Sequence, residues 1–149
     1  MTLRIAETGD LRIPHALRRA VFIAEQGIPE PEEWDDKDAG AVHLVAWDDE
    51  VPVGTIRLIR GAAGTGHITR VCVLGTHRGT GLGAALIREG LARLEAEGLT
   101  RAELSAQTHA RAFYARLGFA AYGPEYDDAG IPHVAMAQPL PRRADAAAG

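Results

Sequence analysis

The spacing of apolar and polar residues changes along the chain between the period of a strand and the period of a helix. Short apolar segments rich in β-branched residues predict strands at 3–6, 42–47, 53–60, 66–74 and 101–106. Apolar residues at helical spacing predict one helix that begins after Asp10 and a longer one from Leu82 to near Gly98. A further helix is predicted after Thr108, which can cap it. The chain therefore mixes strands and helices throughout.

The lengths of the connections predict how the strands are arranged. Only a few residues join the segments 42–47, 53–60 and 66–74, and a parallel crossover needs a dozen or more, so these three are predicted to be antiparallel neighbours. The helix from Leu82 is long enough to serve as one parallel crossover to the strand at 101–106. A mixed α/β sheet follows from this pattern.

Near the end of the chain, two apolar segments flank a polar turn. They are 119–126 and 131–136, and the turn is 127–130. This pattern predicts a terminal hairpin. We expect one domain over 1–138 and a flexible C-terminal tail over 139–149, because the tail has no apolar periodicity.

A glycine-rich turn lies between the third strand of the meander and the long helix. Glycines at 79, 81 and 83 follow Arg78. The first amides of a helix have no internal partner, and the helix dipole places partial positive charge on them. Glycine lets the backbone approach a ligand closely. The guanidinium group of Arg78 has paired N–H donors whose geometry matches two phosphate oxygens. The turn therefore predicts a seat for a pyrophosphate.

Dinucleotide-binding proteins have a similar glycine pattern. Gly79-x-Gly81-x-x-Ala84 fits their fingerprint, and Glu103 stands about twenty residues further on, where a ribose-binding acid would belong. Such a fold places its glycine turn after the first strand and alternates strand with helix from the start. Here the turn follows a helix and a three-stranded meander, so we reject this alternative.

Composition excludes several classes of protein. The 149 residues suit one domain, and 46% hydrophobic and 24% charged residues are typical of a globular protein. A net charge of −4 argues against nucleic acid or an anionic membrane as the main partner. The single cysteine excludes an internal disulfide, and six histidines without paired spacing predict no metal site. The charged N-terminus and the lack of a long apolar run predict a cytoplasmic location.

Three groups of residues resemble the GNAT superfamily of N-acetyltransferases over residues 3–137. Arg78-x-x-Gly81-x-Gly83 resembles its acetyl-CoA motif, and Phe113-Tyr114-Ala115-Arg116-Leu117-Gly118-Phe119 resembles its FY-x-x-x-GF helix end. Three more segments are similar to the ElaA-like branch: Arg18-x-x-Val21-Phe22-x-x-Glu25-Gln26, Ala106-Gln107-x-His109 and Asp128-x-Gly130-Ile131-Pro132-His133. The resemblance implies the GNAT-type acyl-CoA N-acyltransferase fold, a mostly antiparallel central sheet with one splayed parallel pair and flanking helices.

The function implied by the resemblance is transfer of an acetyl group from acetyl-CoA to an amine that attacks the thioester directly. The amine would belong to a small molecule or a peptide, no metal would take part, and a homodimer is allowed. Residues implied to bind the co-substrate are Val71, Cys72, Val73, Arg78, Gly79, Thr80, Gly81, Leu82, Gly83, Ala84 and Gln107. Gln107 stands where the superfamily often has Asn.

Tyr114 is the candidate catalytic side chain. It lies one position beyond Phe113 and so off the buried stripe of its helix, facing the open edge. Its phenol can donate to the departing thiolate of CoA. A covalent role for Cys72 is disfavoured, because a cysteine in mid-strand is usually a small buried hydrophobe.

The base that deprotonates the amine is left open by the sequence. Candidates that could act directly or through water are Glu25, Asp36, His43, Glu103 and His133, and Gln26 joins the residues expected on the acceptor side. The segment 30–38 holds six acidic residues and Trp34. Such charge runs are usually solvated loops. In a GNAT fold this segment would border the acceptor, and it would then favour a cationic amine.

Two other functions remain open. A non-catalytic module that binds or senses acyl-CoA would have the same phosphate seat. An acyltransferase similar to the acyl-homoserine lactone synthases would share Arg18-x-x-x-Phe22 followed by Trp34 and acids, although the spacing around the tryptophan differs. The intact CoA motif and Tyr114 favour the acetyltransferase.

Overall fold

The computed structural model describes residues 2–141, which form seven strands and four α-helices. The strands are β1 (Leu3–Thr8), β2 (Val42–Asp48), β3 (Val51–Arg60), β4 (Thr65–Val73), β5 (Arg101–Gln107), β6 (Ala120–Asp128) and β7 (Ile131–Pro139). The helices are α1 (Arg12–Arg18), α2 (Glu30–Glu33), α3 (Leu82–Ala96) and α4 (Arg111–Arg116). A π-helical segment, Arg19–Glu25, continues α1, and 3₁₀ turns occupy Gly75–His77 and Thr108–Ala110.

All seven strands form one mixed sheet in the order β1-β2-β3-β4-β5-β7-β6. Every neighbouring pair is antiparallel except β4 and β5, which are parallel because α3 connects them. Thr65–Ile68 pairs with Arg101–Leu104, and beyond those residues the two strands are no longer paired. The predicted mixed sheet with a splayed parallel pair is confirmed.

Helices cover both faces of the sheet. Successive residues of a strand point to opposite faces, and Leu44 and Val45 accordingly belong to two separate apolar clusters. Helix α3 packs in the larger cluster, and Gly90 lets it come close, because a Cβ there would lie 2.9 Å from the Cδ1 of Ile56. The helical segment after β1 packs in the smaller cluster through Leu17, Val21 and Phe22.

Three details of the chain differ from the sequence prediction. The first helix changes to π geometry after Arg18, and the amide of Gln26 donates to the carbonyl of Val21, five residues earlier. Thr108 does not cap α4, because a 3₁₀ turn precedes the helix. Pro139 ends β7 and Leu140 is buried, so the folded part continues past the predicted start of the tail, while residues 142–149 lie outside the described range.

Within residues 2–141, no helix combines the length and the apolar character that crossing a membrane would require.

Candidate active site between the splayed strands

A cleft of about 350 Å³ opens where β4 and β5 separate. The residues that line it are Phe22, Gln26, Ile28, Glu32, Glu33, Ile68, Thr69, Arg70, Val71, Leu104, Ser105, Gln107, His109, Ala110, Tyr114, Asp128, Ala129 and His133. The two strands are held together only at one end, so their main-chain groups beyond Ile68 and Leu104 do not pair with each other. An extended ligand can hydrogen-bond to those groups.

The glycine-rich turn has the backbone geometry that a phosphate seat requires. Gly79 and Gly81 adopt φ values of +76° and +84°, and a Cβ built on either would have no atom within 4 Å. The amide of Ala85 donates to the carbonyl of Gly81, and this is the hydrogen bond with which the ladder of α3 begins. The amides of residues 82–84 precede it in the first turn of α3 and have no acceptor within the helix. This open nest can hold phosphate oxygens.

Arg78 is bound to protein groups rather than extended toward the nest. Its Nε donates to the carbonyl of Val73 at 3.1 Å. Its Nη2 donates to Glu25 Oε1 at 2.7 Å, and Nη1 donates to the other oxygen of the same carboxylate. The hydrogen bonds from Arg78 lower the pKa of Glu25. The nest as it stands is formed by main-chain amides, and the role of Arg78 in phosphate binding stays a prediction. Glu25, an acceptor-side candidate, is paired with Arg78 at the turn and does not line the cleft.

Tyr114 brings a neutral phenol to the cleft. Its ring packs edge-on against Phe113 and Phe119, with ring centroids 5.0 Å and 6.1 Å away. Burial raises its pKa to about 12, because a phenolate would lose its hydration there. Among the described residues, its hydroxyl has no hydrogen-bond partner. The phenol is thus a hydrogen-bond donor that is not already used by the protein.

Cys72 is not among the residues that line the cleft, and it packs with Leu17, Val21 and Phe22 in the smaller cluster. Burial raises the pKa of its thiol to about 12. A thiol that stays protonated at neutral pH is a poor nucleophile. This observation agrees with the prediction that Cys72 takes no covalent part.

Three polar side chains form a hydrogen-bonded chain along the cleft. Gln107 donates through Nε2 to Gln26 Oε1 at 3.0 Å, and the ring Nε2 of His109 lies 2.7 Å from Gln107 Oε1. Gln26 follows the π-helical segment and Gln107 ends β5, so the chain links opposite walls of the cleft.

His133 is the one residue among the five candidate bases that lines the cleft. Its Nδ1 lies 2.7 Å from the carbonyl oxygen of Ile131, and a carbonyl can only accept, so Nδ1 carries the hydrogen. The lone pair of the neutral ring is consequently on Nε2. The ring also stacks on Tyr126, with centroids 6.0 Å apart. These contacts fix both the tautomer and the orientation of the ring.

The other candidate bases lie elsewhere. Asp36 lines a separate depression beside Trp34. His43 is buried, and its Nε2 donates to the carbonyl of Asp38 at 2.8 Å. Glu103 accepts hydrogen bonds from the Tyr122 hydroxyl and from Arg101, and the bond from Tyr122 lowers its pKa. The fold brings none of these three to the cleft.

The acidic segment 30–38 is not the solvated loop that its composition predicts. Glu33 and Asp38 are buried, and both bind Arg18, which has no exposed surface. Arg18 Nε donates to Glu33 Oε2 at 2.9 Å, and Nη1 donates to Asp38 Oδ1 at 2.8 Å. Ion pairs of this kind persist in a protein interior because each charge has a partner.

Two arginines of the sheet complete this buried network. Arg57 donates through Nη1 to both Asp35 and Asp38 at 2.7 Å. Arg70 donates through Nε to Glu33 at 2.9 Å. Arg70 has a φ of +54° in a β-bulge of β4, where Arg70 and Val71 oppose the single residue Ile56 of β3.

The network was missed by the sequence prediction, but one signal for it exists. Arg57 stands between Ile56 and Leu58 in an apolar strand, and a buried arginine requires carboxylates nearby. The acidic run 30–38 was the available source of those carboxylates.

The sequence and the structure were each compared with known proteins, and both comparisons find acetyltransferases or acyltransferases. The family model described as Acetyltransferase (GNAT) domain matches residues 21–140. YjcF of Bacillus subtilis strain 168, an uncharacterised N-acetyltransferase, is 39% identical over 122 residues, which cover 80% of this chain and 86% of YjcF.

Two solved structures are also similar. An acyl-CoA N-acyltransferase from Pseudomonas aeruginosa is 32% identical with a TM-score of 0.81, and the match covers 93% of this chain and 99% of that one. Escherichia coli ElaA is 26% identical with a TM-score of 0.84, and the match covers 92% and 99%.

Proposed function

Because the chain belongs to the acetyltransferase (GNAT) domain family and is related to ElaA, we propose that it transfers an acetyl group from acetyl-CoA to an amine. The observation that carries the proposal is a cleft lined by Tyr114 and by the oriented ring of His133, together with the open phosphate nest at the start of α3. The similar Pseudomonas aeruginosa protein bears the name acyl-CoA N-acyltransferase, which supports the choice of donor.

The chain offers acetyl-CoA two kinds of contact. The open nest at Gly79, Gly81 and the amides of 82–84 would bind the pyrophosphate. The unpaired main-chain groups of β4 near Val71 would bind the extended arm and offer an amide to the thioester oxygen. When bound, acetyl-CoA supplies an acyl carbon that is activated by a thiolate leaving group.

His133 and Tyr114 would handle the proton and the developing charge. Nε2 of His133 accepts the proton that the ammonium of the acceptor must lose before its nitrogen attacks the acyl carbon. The carbon–sulfur bond breaks as the carbon–nitrogen bond forms, and the Tyr114 hydroxyl donates a hydrogen bond to the sulfur that leaves. A second proton passes from the new amide nitrogen to solvent, and the thiolate takes up a proton from water. The acyl group moves from sulfur to nitrogen, the ammonium loses two protons and the thiolate gains one. One proton is therefore released to solvent once His133 gives up the proton it accepted, with no change of oxidation state.

The proposal is tested first by binding. Acetyl-CoA at a hundredfold excess over Kd should stabilise the fold by about 2.7 kcal/mol, because it binds only the native state. For a chain of this size the melting temperature should then rise by about 5–10 °C. NADH at the same concentration is the matched control and should cause no shift. A shift with NADH and none with acetyl-CoA would overturn the assignment.

The second test is turnover. A panel of amines, alcohols and carboxylic acids is incubated with acetyl-CoA, and release of the CoA thiol is measured. We expect release that depends on an amine and is accompanied by an acetylated product. Tight binding of acetyl-CoA without transfer to any amine would favour a module that only binds acyl-CoA.

Replacing His133 by glutamine tests its assigned role. The turnover number should fall by about 10²- to 10⁴-fold near neutral pH, the usual contribution of a general base. The loss should shrink near pH 10, where an alkyl amine is already substantially deprotonated in water. A loss that does not depend on pH would assign His133 a structural role.

A further inference from the structure

The carboxylate of Glu33 is held rigidly in the wall of the cleft. Its Oε2 accepts hydrogen bonds from Arg18 Nε and Arg70 Nε, both at 2.9 Å. Its main-chain carbonyl accepts from Nη2 of the same two arginines at 3.3 Å and 3.0 Å. Glu33 is only 3% exposed, and it lines the cleft. Two guanidinium groups thus fix the position of the side chain of a residue that lines the cleft.

The second oxygen of this carboxylate is available to a ligand. Oε1 accepts no hydrogen bond from any residue in the range 2–141. Of the side-chain nitrogen and oxygen atoms sealed from solvent in that range, Nδ1 of His43 is the one without a partner. Oε1 of Glu33 is therefore not sealed from solvent, it keeps its lone pairs free, and the residue that carries it lines the cleft. An anionic oxygen in this position prefers a cationic hydrogen-bond donor.

The charges around the cleft also favour a cation. Carboxylates of Glu32, Glu33 and Asp128 line it, against the single guanidinium of Arg70. Arg70 already uses Nε and Nη2 on Glu33 and a long contact to Asp35. Arg18 and Arg70 balance the charge of Glu33, so the attraction for a positively charged acceptor comes from Glu32 and Asp128, which form no ion pair among the described residues.

Glu33 and His133 stand on opposite walls. Glu33 is bound to Arg70 of β4, whereas His133 of β7 pairs with Gln107 at the end of β5, and β4 and β5 diverge between them. An acceptor whose reacting nitrogen contacts His133 can therefore contact Glu33 only through a second group. A monoamine can satisfy only one of the two.

We propose that Oε1 of Glu33 binds a second, non-reacting ammonium of the acceptor, so that the preferred acceptors are diamine-like cations. This inference rests on the proposed acetyltransferase function and names the substrate class of the same cleft. Glu33 would then determine specificity, while His133 and Tyr114 act at the reacting atoms.

The experiment compares two probes that differ by one amino group, 1,4-diaminobutane and butylamine. Their binding is measured calorimetrically to the full chain in the presence of CoA, whose free thiol permits no transfer. The wild-type chain should bind the diamine about 10- to 100-fold more tightly than the monoamine, as expected for a charge-assisted hydrogen bond. Glu33→Gln should abolish this preference and leave CoA binding unchanged.

Asp35→Asn is the matched control. Asp35 belongs to the same network through Arg57 and Arg70, but it does not line the cleft. This variant disturbs comparable ion pairs and should keep the preference for the diamine. Equal loss in both variants would overturn the proposal, because it would trace the preference to the network as a whole.

Two further results would also overturn it: equal affinity of the wild-type chain for both probes, or a preference that survives Glu33→Gln. If Glu33→Gln does not fold, equal affinity of the wild-type chain for both probes still overturns the proposal, and so does loss of the preference in Asp35→Asn. Because no acetyl group is transferred in this assay, its outcome is separate from the turnover test. Failure to acetylate any amine would refute the proposed function, whereas acetylation without preference for diamines would refute only the role of Glu33.

Discussion

Replacing Tyr114 by phenylalanine should slow turnover and leave the fold intact. The substitution keeps the ring that packs against Phe113 and Phe119 and removes only the hydroxyl. That hydroxyl has no partner among the described residues, so its loss breaks no internal hydrogen bond. The melting temperature should therefore remain within about 2 °C of the wild type, since surrounding contacts change little.

The size of the effect depends on what the phenol does. A pKa of about 12 lies far above the value of about 8.5 for a cysteine-type thiol, so full proton transfer from Tyr114 to the thiolate would be uphill by roughly 5 kcal/mol. A hydrogen bond to the developing charge is therefore the more favourable role. Hydrogen bonds to charged groups contribute about 1.5–3 kcal/mol, which corresponds to a fall in kcat of about 10- to 150-fold. Loss of a general acid that transfers its proton would cost about 10²- to 10⁴-fold.

The assay is release of the CoA thiol at saturating amine, with acetyl-CoA varied. The KM for acetyl-CoA should hardly change, because the hydrogen bond forms mainly in the transition state. Tyr122→Phe is the control, since the Tyr122 hydroxyl binds Glu103 away from the cleft, and it should keep wild-type turnover. Wild-type turnover in Tyr114→Phe would show that the phenol is only a packed side chain. A loss near 10⁴-fold would refute the hydrogen-bond argument and restore full proton transfer.

Three further predictions concern stability and reactivity. Hydrogen bonds from Arg57 hold the pKa of Asp35 at about 2, below its ordinary 3.8. The stability that the Asp35 carboxylate contributes is therefore complete above pH 4 and is lost toward pH 2. Between pH 5 and pH 2.5, the melting temperature of Asp35→Asn should fall less than that of the wild type. Cys72 should resist iodoacetamide at pH 8, because burial raises its pKa to about 12, and Cys72→Ala should keep turnover within about threefold; a larger loss would reopen a covalent mechanism. Gly81→Ala should lower the free energy of unfolding by about 1–2 kcal/mol, because Gly81 has a left-handed φ, and it should raise the KM for acetyl-CoA. Gly9→Ala is the control and should do neither, because Gly9 has open space around it and no positive φ.

The sequence determined the features that depend on local physics. The short connections among β2, β3 and β4 leave no room for parallel crossovers, and the long apolar stripe of α3 requires one crossover to β5. The glycines at 79 and 81 could be placed at a helix start because the change from strand to helix period lies beside them. Tyr114 was selected through the resemblance of Phe113–Phe119 to the FY-x-x-x-GF helix end, and its catalytic role stays a prediction.

The tertiary structure decided which polar residues meet. The acidic segment 30–38 has the same composition whether water or arginine surrounds it, and its partners Arg18, Arg57 and Arg70 lie up to 37 residues away. The bulge that turns Arg70 toward Glu33 depends on the register between β3 and β4, which no local pattern encodes.

Which of the candidate bases lines the cleft was likewise decided by the fold. Glu25, Asp36, His43, Glu103 and His133 are equivalent in sequence, since each is a titratable side chain in a plausible segment. Only the pairing of β5 with β7 places His133 at the cleft, and only the carbonyl of Ile131 fixes its tautomer. Proton transfer requires contact at hydrogen-bond distance, and contacts between distant segments are set by packing of the whole sheet rather than by spacing along the chain.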